Sequence, residues 1–229
     1  GLTCEPQVSY TTARPGGVCF VLPAEGGAAG GGHVLRTTNG GATWSHASPT
    51  PATLRDVYFV SSLVGWAVGY NGVVLTSTDG GLSWTSSTRT ASDLYSVHFA
   101  STTLGWAVGE AGAILKTTDG GANWTTQRPS TAILRSVHFI DDANGWAVGS
   151  SGTVVQTSDG GDRWDVSHPA AVTLAGVFFA SIPAGVPVTV DTNPPGLAFT
   201  VDGIDYTAAH TSRWDPGSSH TLATTSPQS

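Results

Sequence analysis

The sequence predicts an all-β protein built as a β-propeller, and three observations predict it. A forty-residue unit recurs in register, each unit closes on the same glycine-rich turn, and the composition suits short strands joined by tight turns. Among 229 residues there are 30 Gly, 8 Trp and no Met; 39% are hydrophobic and only 11% charged. Helical repeats of similar period need continuous 3.6-residue patterning, which these glycines prevent.

The unit is plainest from Leu54 to Trp84, "LRDVYFVSSLVGWAVGYNGVVLTSTDGGLSW". It returns as "LYSVHFASTTLGWAVGEAGAILKTTDGGANW" from Leu94 to Trp124 and as "LRSVHFIDDANGWAVGSSGTVVQTSDGGDRW" from Leu134 to Trp164. A degenerate copy ends in "HVLRTTNGGATW", His33 to Trp44, and a further first strand, "LAGVFFA", opens at Leu174. Each unit divides into four short strands, in the second unit Arg55–Val60, Gly65–Gly69, Val73–Ser77 and Leu82–Ser86, separated by Ser61-Ser62, Asn71-Gly72 and Asp79-Gly80-Gly81. Four strands per forty residues is one propeller blade. A single blade cannot bury both faces, so stacked neighbours must cover each other, and Trp66, Trp106 and Trp146 read as packing residues between blades.

The turn before the fourth strand reads Ser/Thr-x-Asp/Asn-Gly-Gly-x-x-Trp, an Asp-box, at Thr37–Trp44, Ser77–Trp84, Thr117–Trp124 and Thr157–Trp164. Asn39, Asp79, Asp119 and Asp159 can accept backbone N–H bonds of their turns, the glycines supply positive φ, and Trp44, Trp84, Trp124 and Trp164 close over the hairpins. One carboxylate per turn is too dispersed for calcium, which needs converging ligands. His98 and His138 share a repeat position with Tyr58 and Phe178, which marks a packing slot rather than a metal site. No metal or other cofactor is expected.

A formal charge of −7 with scattered basic residues argues against nucleic acid. No apolar run reaches the ~20 residues needed to span a bilayer. Gly1 is not a natural start, so the chain reads as processed, trimmed or partial. Cys4 and Cys19 flank adjacent strands of the first unit and are expected to pair, which suits an oxidising compartment; two unpaired thiols are the alternative.

The boxes resemble the BNR repeats first noted in sialidases. The fuller pattern "GWAVG–xxG–xxLxTxDGGxxW" resembles the photosystem II assembly and stability factor family and its bacterial relatives, over about two-thirds of the chain. That resemblance implies a non-catalytic propeller outside the cytoplasm (periplasmic, secreted or lumenal) that binds a protein partner in a membrane complex. Family rings commonly have about seven blades, whereas four units and one spare strand are visible, so a small ring, an open arc and a fragment all stay open. The family holds its partner partly through an arginine-lined patch. Arg55 and Arg135 occupy one repeat position, with Tyr95 and Ala175 in the other copies. The expected contact face is therefore Arg55, Tyr95 and Arg135 at the strand starts with Tyr70, Glu110 and Ser150 between second and third strands, because these vary over a constant scaffold.

Two other functions stay open on the sequence. A glycan could stack on Tyr70, Tyr95 and Trp214. A glycosidase needs two facing carboxylates, for which Glu110 with Asp141 or Asp142 is the conceivable pair. No arginine trio of the sialidase kind, phosphate loop or nucleophile elbow can be assembled. The repeat domain is placed at residues 1–180 and a small module at 181–229, joined by Ile182–Gly185. The module alternates apolar and polar residues, carries turn signals at Asp202-Gly203 and Pro216-Gly217, and resembles PEGA-like β modules through Pro195, Gly196, Val201, Asp202, Gly203 and Tyr206.

Overall fold

The computed structural model describes residues 16–169 and 171–177, together with the strands at 186–190, 199–201, 204–206, 210–214 and 222–224. The chain divides into two units, Gly1–Phe179 and Ala180–Ser229.

The first unit holds four antiparallel sheets of four strands, each in sequence order. Blade one comprises β1 (Val18–Phe20), β2 (Gly26–Gly30), β3 (His33–Thr37) and β4 (Ser45–Ala47). Blade two comprises β5 (Leu54–Phe59), β6 (Gly65–Gly69), β7 (Val73–Ser77) and β8 (Thr85–Thr88). Blade three comprises β9 (Leu94–Phe99), β10 (Gly105–Gly109), β11 (Ile114–Thr117) and β12 (Thr125–Gln127). Blade four comprises β13 (Leu134–Phe139), β14 (Gly145–Gly149), β15 (Val154–Thr157) and β16 (Asp165–Ser167). Among the described residues there is no α-helix, only a one-turn 3-10 segment between second and third strands of blades two to four. The architecture is that of a β-propeller. The inner strands pack in series, β5 against β1 and β2, β9 against β5, and β13 against β9.

Burial is greatest in the second strands and least in the fourth. β6 and β10 are buried along their whole length, while β8 and β16 are largely exposed. The Gly-Trp-Ala-Val-Gly strand lies mid-sheet with a blade on either face, so it reads as a continuous apolar run rather than an alternating one. Trp66 stacks flat on Phe99 of the next blade at 3.4 Å between ring centroids, and its indole N–H donates to the Gly120 carbonyl at 2.9 Å. Trp106 repeats both contacts with Phe139 at 3.4 Å and with the Gly160 carbonyl at 3.0 Å. Each indole therefore buries its apolar body and satisfies its one polar atom in the same neighbour. Blade one has Gly27 where the others have Trp, and there Arg36 Nε donates to the Gly80 carbonyl at 2.7 Å instead.

A second tie runs along the inner strands. Ser96 Oγ accepts from Val137 N at 3.3 Å, and Ser136 Oγ from Val177 N at 3.1 Å. Asp56 Oδ2 does the same for Val97 N at 2.9 Å. Blade one has Gly17 at this position and no side chain to offer Val57. Asp56 fills the gap: its Oδ1 accepts the Val57 N–H at 2.9 Å, and sits where a Cβ on Gly17 would lie, 1.8 Å away. A carboxylate serves two N–H groups where serine serves one.

In the four Ser/Thr-x-Asp/Asn-Gly-Gly-x-x-Trp turns a side-chain oxygen meets a backbone N–H. Asp79 Oδ1 accepts from Ser83 N at 2.9 Å, Asp119 Oδ1 from Asn123 N at 2.8 Å, Asp159 Oδ1 from Arg163 N at 2.9 Å and Asn39 Oδ1 from Thr43 N at 2.9 Å. Both glycines of every box have positive φ. The turn reaches further than expected: the fourth strand of blade two begins at Thr85, not Leu82, because the N–H of Ser83 is turned inward to Asp79. Asn71, Ala111 and Ser151 also adopt positive φ, between 51° and 57°. Alanine is the residue least suited to that region among the three. Ala111→Gly is therefore expected to stabilise the chain by about 0.5–1 kcal/mol, read by urea denaturation.

In the second unit β17 (Val186–Val190) pairs with β20 (His210–Trp214), and β18 (Phe199–Val201) lies between β19 (Ile204–Tyr206) and β21 (Leu222–Thr224). Val201 opposes Ile204 in the antiparallel β18–β19 pair. The linker at Ile182–Gly185, the Pro216-Gly217 turn, Cys4 and the Trp214 side chain lie outside the described residues. Cys19 is buried against Phe59 and is not a free thiol.

Candidate functional site

Five of the six residues expected at the contact face converge. Leu54, Leu94 and Leu134 open the inner strands opposite Gly69, Gly109 and Gly149, which close the second strands, so residues beside either set share one end of the unit. There the Arg55 guanidinium carbon lies 5.5 Å from the Tyr70 ring centroid and 5.6 Å from that of Tyr95. Arg135 approaches Tyr95 from blade four at 5.9 Å. The two tyrosine rings meet edge to face at 6.3 Å. The Tyr95 hydroxyl donates to Glu110 Oε1 at 3.2 Å, and burial together with the Glu110 carboxylate pushes this phenol up to about 12. It stays a donor throughout the physiological range.

The repeat explains the convergence. One offset of forty places Arg55, Tyr95 and Arg135 on successive inner strands, and packing of β5, β9 and β13 in series brings those positions side by side. Cation–π contact holds both guanidiniums against aromatic faces. Among the described residues the one ion pair is Lys116 with Asp162 at 2.6 Å, so neither Arg55 nor Arg135 has an internal carboxylate partner there. Arg135 Nε is buried with no hydrogen-bond acceptor. The arrangement suits a planar anion such as a carboxylate.

Ser150 does not join them. Its hydroxyl accepts from the Ile133 N–H at 3.0 Å, at the entry to β13. Two residues not singled out in the sequence border the cluster. Asp93 Oδ1 accepts from Asn71 N at 2.8 Å. Arg128 donates to the Glu110 and Ala111 carbonyls at 3.3 and 3.1 Å and to Ser92 Oγ at 3.0 Å. Asp93 was open to discovery as an acid where Thr53 and Ile133 stand; Arg128 lies in a linker with no repeat signal.

The other candidates resolve into packing and turns. His98 lies between Tyr58 and His138, each at 4.8 Å between centroids, and burial beside His138 lowers its imidazole to about 3. Among the described residues no cluster of His, Cys, Asp or Glu could hold a metal. Asp79 and Asp119 are lowered to about 2 by hydrogen bonds from Ser83 and Asn123 within their turns. Asp141 caps its own loop, accepting from Ala143 N at 2.8 Å and Asn144 N at 2.6 Å. That loop joins first and second strands, at the end opposite Glu110, so Glu110 cannot face Asp141 or Asp142 across a glycosidic bond. No helix among the described residues is long and apolar enough to cross a membrane.

Comparison with known proteins adds the family context. Residues 42–128 match the family model described as photosynthesis system II assembly factor YCF48. YCF48 from Cyanidioschyzon merolae is 23% identical, with a TM-score of 0.61 over 84% of this chain and 68% of that one. A structure of YCF48 bound to a D1 peptide is 20% identical, with a TM-score of 0.46 over 71% of this chain and 69% of that one. No curated protein matches. The chain is a BNR-repeat β-propeller protein that resembles the photosystem II assembly factor YCF48.

Proposed function

We propose that the chain is a non-catalytic assembly factor or accessory subunit that docks on an extracytoplasmic segment of a membrane-protein complex of the photosynthetic type. The observation that carries this reading is the cluster of Arg55 and Arg135 around Tyr95, two guanidiniums without carboxylate partners among the described residues on a chain of formal charge −7. The match to the assembly-factor family supports it, because residues 42–128 include Arg55, Tyr70, Tyr95 and Glu110. Periplasm or thylakoid lumen is the compartment this role requires.

Affinity capture of the native protein from solubilised membranes, followed by mass spectrometry, tests the reading. A stoichiometric membrane complex is expected, and replacing both Arg55 and Arg135 by alanine should weaken its capture at least about tenfold, as for lost charge-assisted contacts. Undiminished capture by that double variant would remove the cluster from the interface. Capture of glycans alone would replace a protein partner with a carbohydrate, stacked on Tyr70 and Tyr95.

A further inference from the structure

Charges of both signs surround Tyr95, and among the described residues no ion pair joins them. Arg55 and Arg135 stack on its ring from the inner strands. Glu110 accepts its hydroxyl from the turn after the second strand, one strand further out. Asp93, just before the inner strand, spends one carboxylate oxygen on the Asn71 N–H. Arg128, in the linker after β12, is fastened to the Glu110 and Ala111 carbonyls and Ser92, not to the Glu110 carboxylate.

Tyr95 accounts for the separation. Its ring occupies the guanidiniums and its hydroxyl occupies the carboxylate, so it stands as a spacer between groups that would otherwise collapse on each other. Arginine at this position, as at Arg55 and Arg135, would neutralise Glu110 internally and make the patch uniformly basic. Tyrosine leaves a cationic inner half and an anionic outer half, both only partly exposed. An arrangement of that kind rejects a purely acidic ligand as well as a purely basic one, since each would place a like charge on one half.

We infer that the site is bipolar: Arg55 and Arg135 take a carboxylate of the partner, and Glu110, with Asp93 beside it, takes a cationic side chain of the same segment. This rests on the partner-binding role proposed above and names the chemistry of the segment. Arg55 lies 5.6 Å from the Tyr95 ring and Glu110 lies 3.2 Å from its hydroxyl. A ligand spanning both halves bridges on the order of 10 Å, two or three residues of extended chain at about 3.3 Å each. The carboxylate can come from an acidic side chain or from a chain terminus.

The test uses the full chain and fluorescently labelled eight-residue peptides. One carries an aspartate and an arginine two residues apart; a second replaces the arginine by glutamine; both are made with free and amidated C-termini. The bipolar peptide is expected to bind at least tenfold more tightly than the acid-only peptide. In Glu110→Gln, which keeps an acceptor for Tyr95, the bipolar peptide should fall to the affinity of the acid-only one. Loss of binding on amidation would assign the carboxylate to the chain terminus, and retention would assign it to the side chain; the Glu110→Gln effect is expected in either case. Equal binding of the two peptides, or an unchanged ratio in Glu110→Gln, overturns the bipolar site while leaving the arginine cluster as a docking surface. If neither peptide binds, the docking role falls with it.

Discussion

Replacing Trp106 by alanine should cost about 3–5 kcal/mol, the range for deleting a large buried aromatic side chain. The indole is fully buried, lies flat on Phe139 of the following blade and holds the Gly160 carbonyl at 3.0 Å. Alanine removes the stacking, opens a cavity between blades three and four, and takes the indole N–H away from the Gly160 carbonyl. Trp106→Phe separates these effects. It keeps an aromatic face for Phe139 but not the N–H, so its cost should be about 1–3 kcal/mol, that of one unsatisfied buried acceptor. Because blades contact only their neighbours, the loss is concentrated at one interface. Urea denaturation of Trp106→Ala should therefore broaden or split as blade four uncouples. A loss below about 1 kcal/mol with an unchanged slope would show that the interface does not rest on this ring.

Much of this was legible because a repeat reports the same structural demand several times. Trp66 and Trp106 bracketed by Gly and Val could be assigned to blade interfaces, and the Asp-box oxygens to their turns, from periodicity and turn chemistry alone. The convergence of Arg55, Tyr95 and Arg135 followed from one shared offset. The deviations were not legible, because each depends on what a different blade lacks. Asp56 differs from Ser96 and Ser136 since Gly17 in the preceding blade provides no acceptor, a relation visible only once the blades are stacked. Arg36 reaches Gly80 since Gly27 provides no indole. Ser150 shares its repeat position with Tyr70 and Glu110 but is short enough to bond the Ile133 N–H at the entry to β13, so position in the repeat did not determine its direction.

Stability should be nearly flat from pH 6 to pH 4 and should fall steeply below, because two buried groups oppose each other. Burial between blades raises Asp56 to about 6 from 3.8, against the lowering effect of hydrogen bonds from Val97, Ser96 and Val57. A carboxyl raised in the folded state contributes stability fully present below pH 3.8 and lost as pH rises through 6, a difference of about 3 kcal/mol. Burial beside His138 lowers His98 to about 3 from 6.5. An imidazole lowered in the folded state contributes stability present above pH 6.5 and lost as pH falls toward 3, about 5 kcal/mol in all. Around pH 5 the folded chain holds an extra proton at Asp56 and lacks one at His98, so the two slopes cancel. Below pH 4 Asp56 is protonated in both states and His98 acts unopposed, joined by the Asp79 and Asp119 carboxylates, which must protonate against their turn hydrogen bonds. Single substitutions should expose each half. His98→Phe, an aromatic as Tyr58 is at the same repeat position, should gain about 3 kcal/mol on acidification from pH 6.5 to 4. Asp56→Ser, the residue of the two later blades, should instead begin losing stability already at pH 6.5. Urea midpoints at pH 7, 5 and 4 for the three proteins distinguish the profiles, and a flat line for His98→Phe between pH 6.5 and 4 would show that Asp56 is not the opposing group.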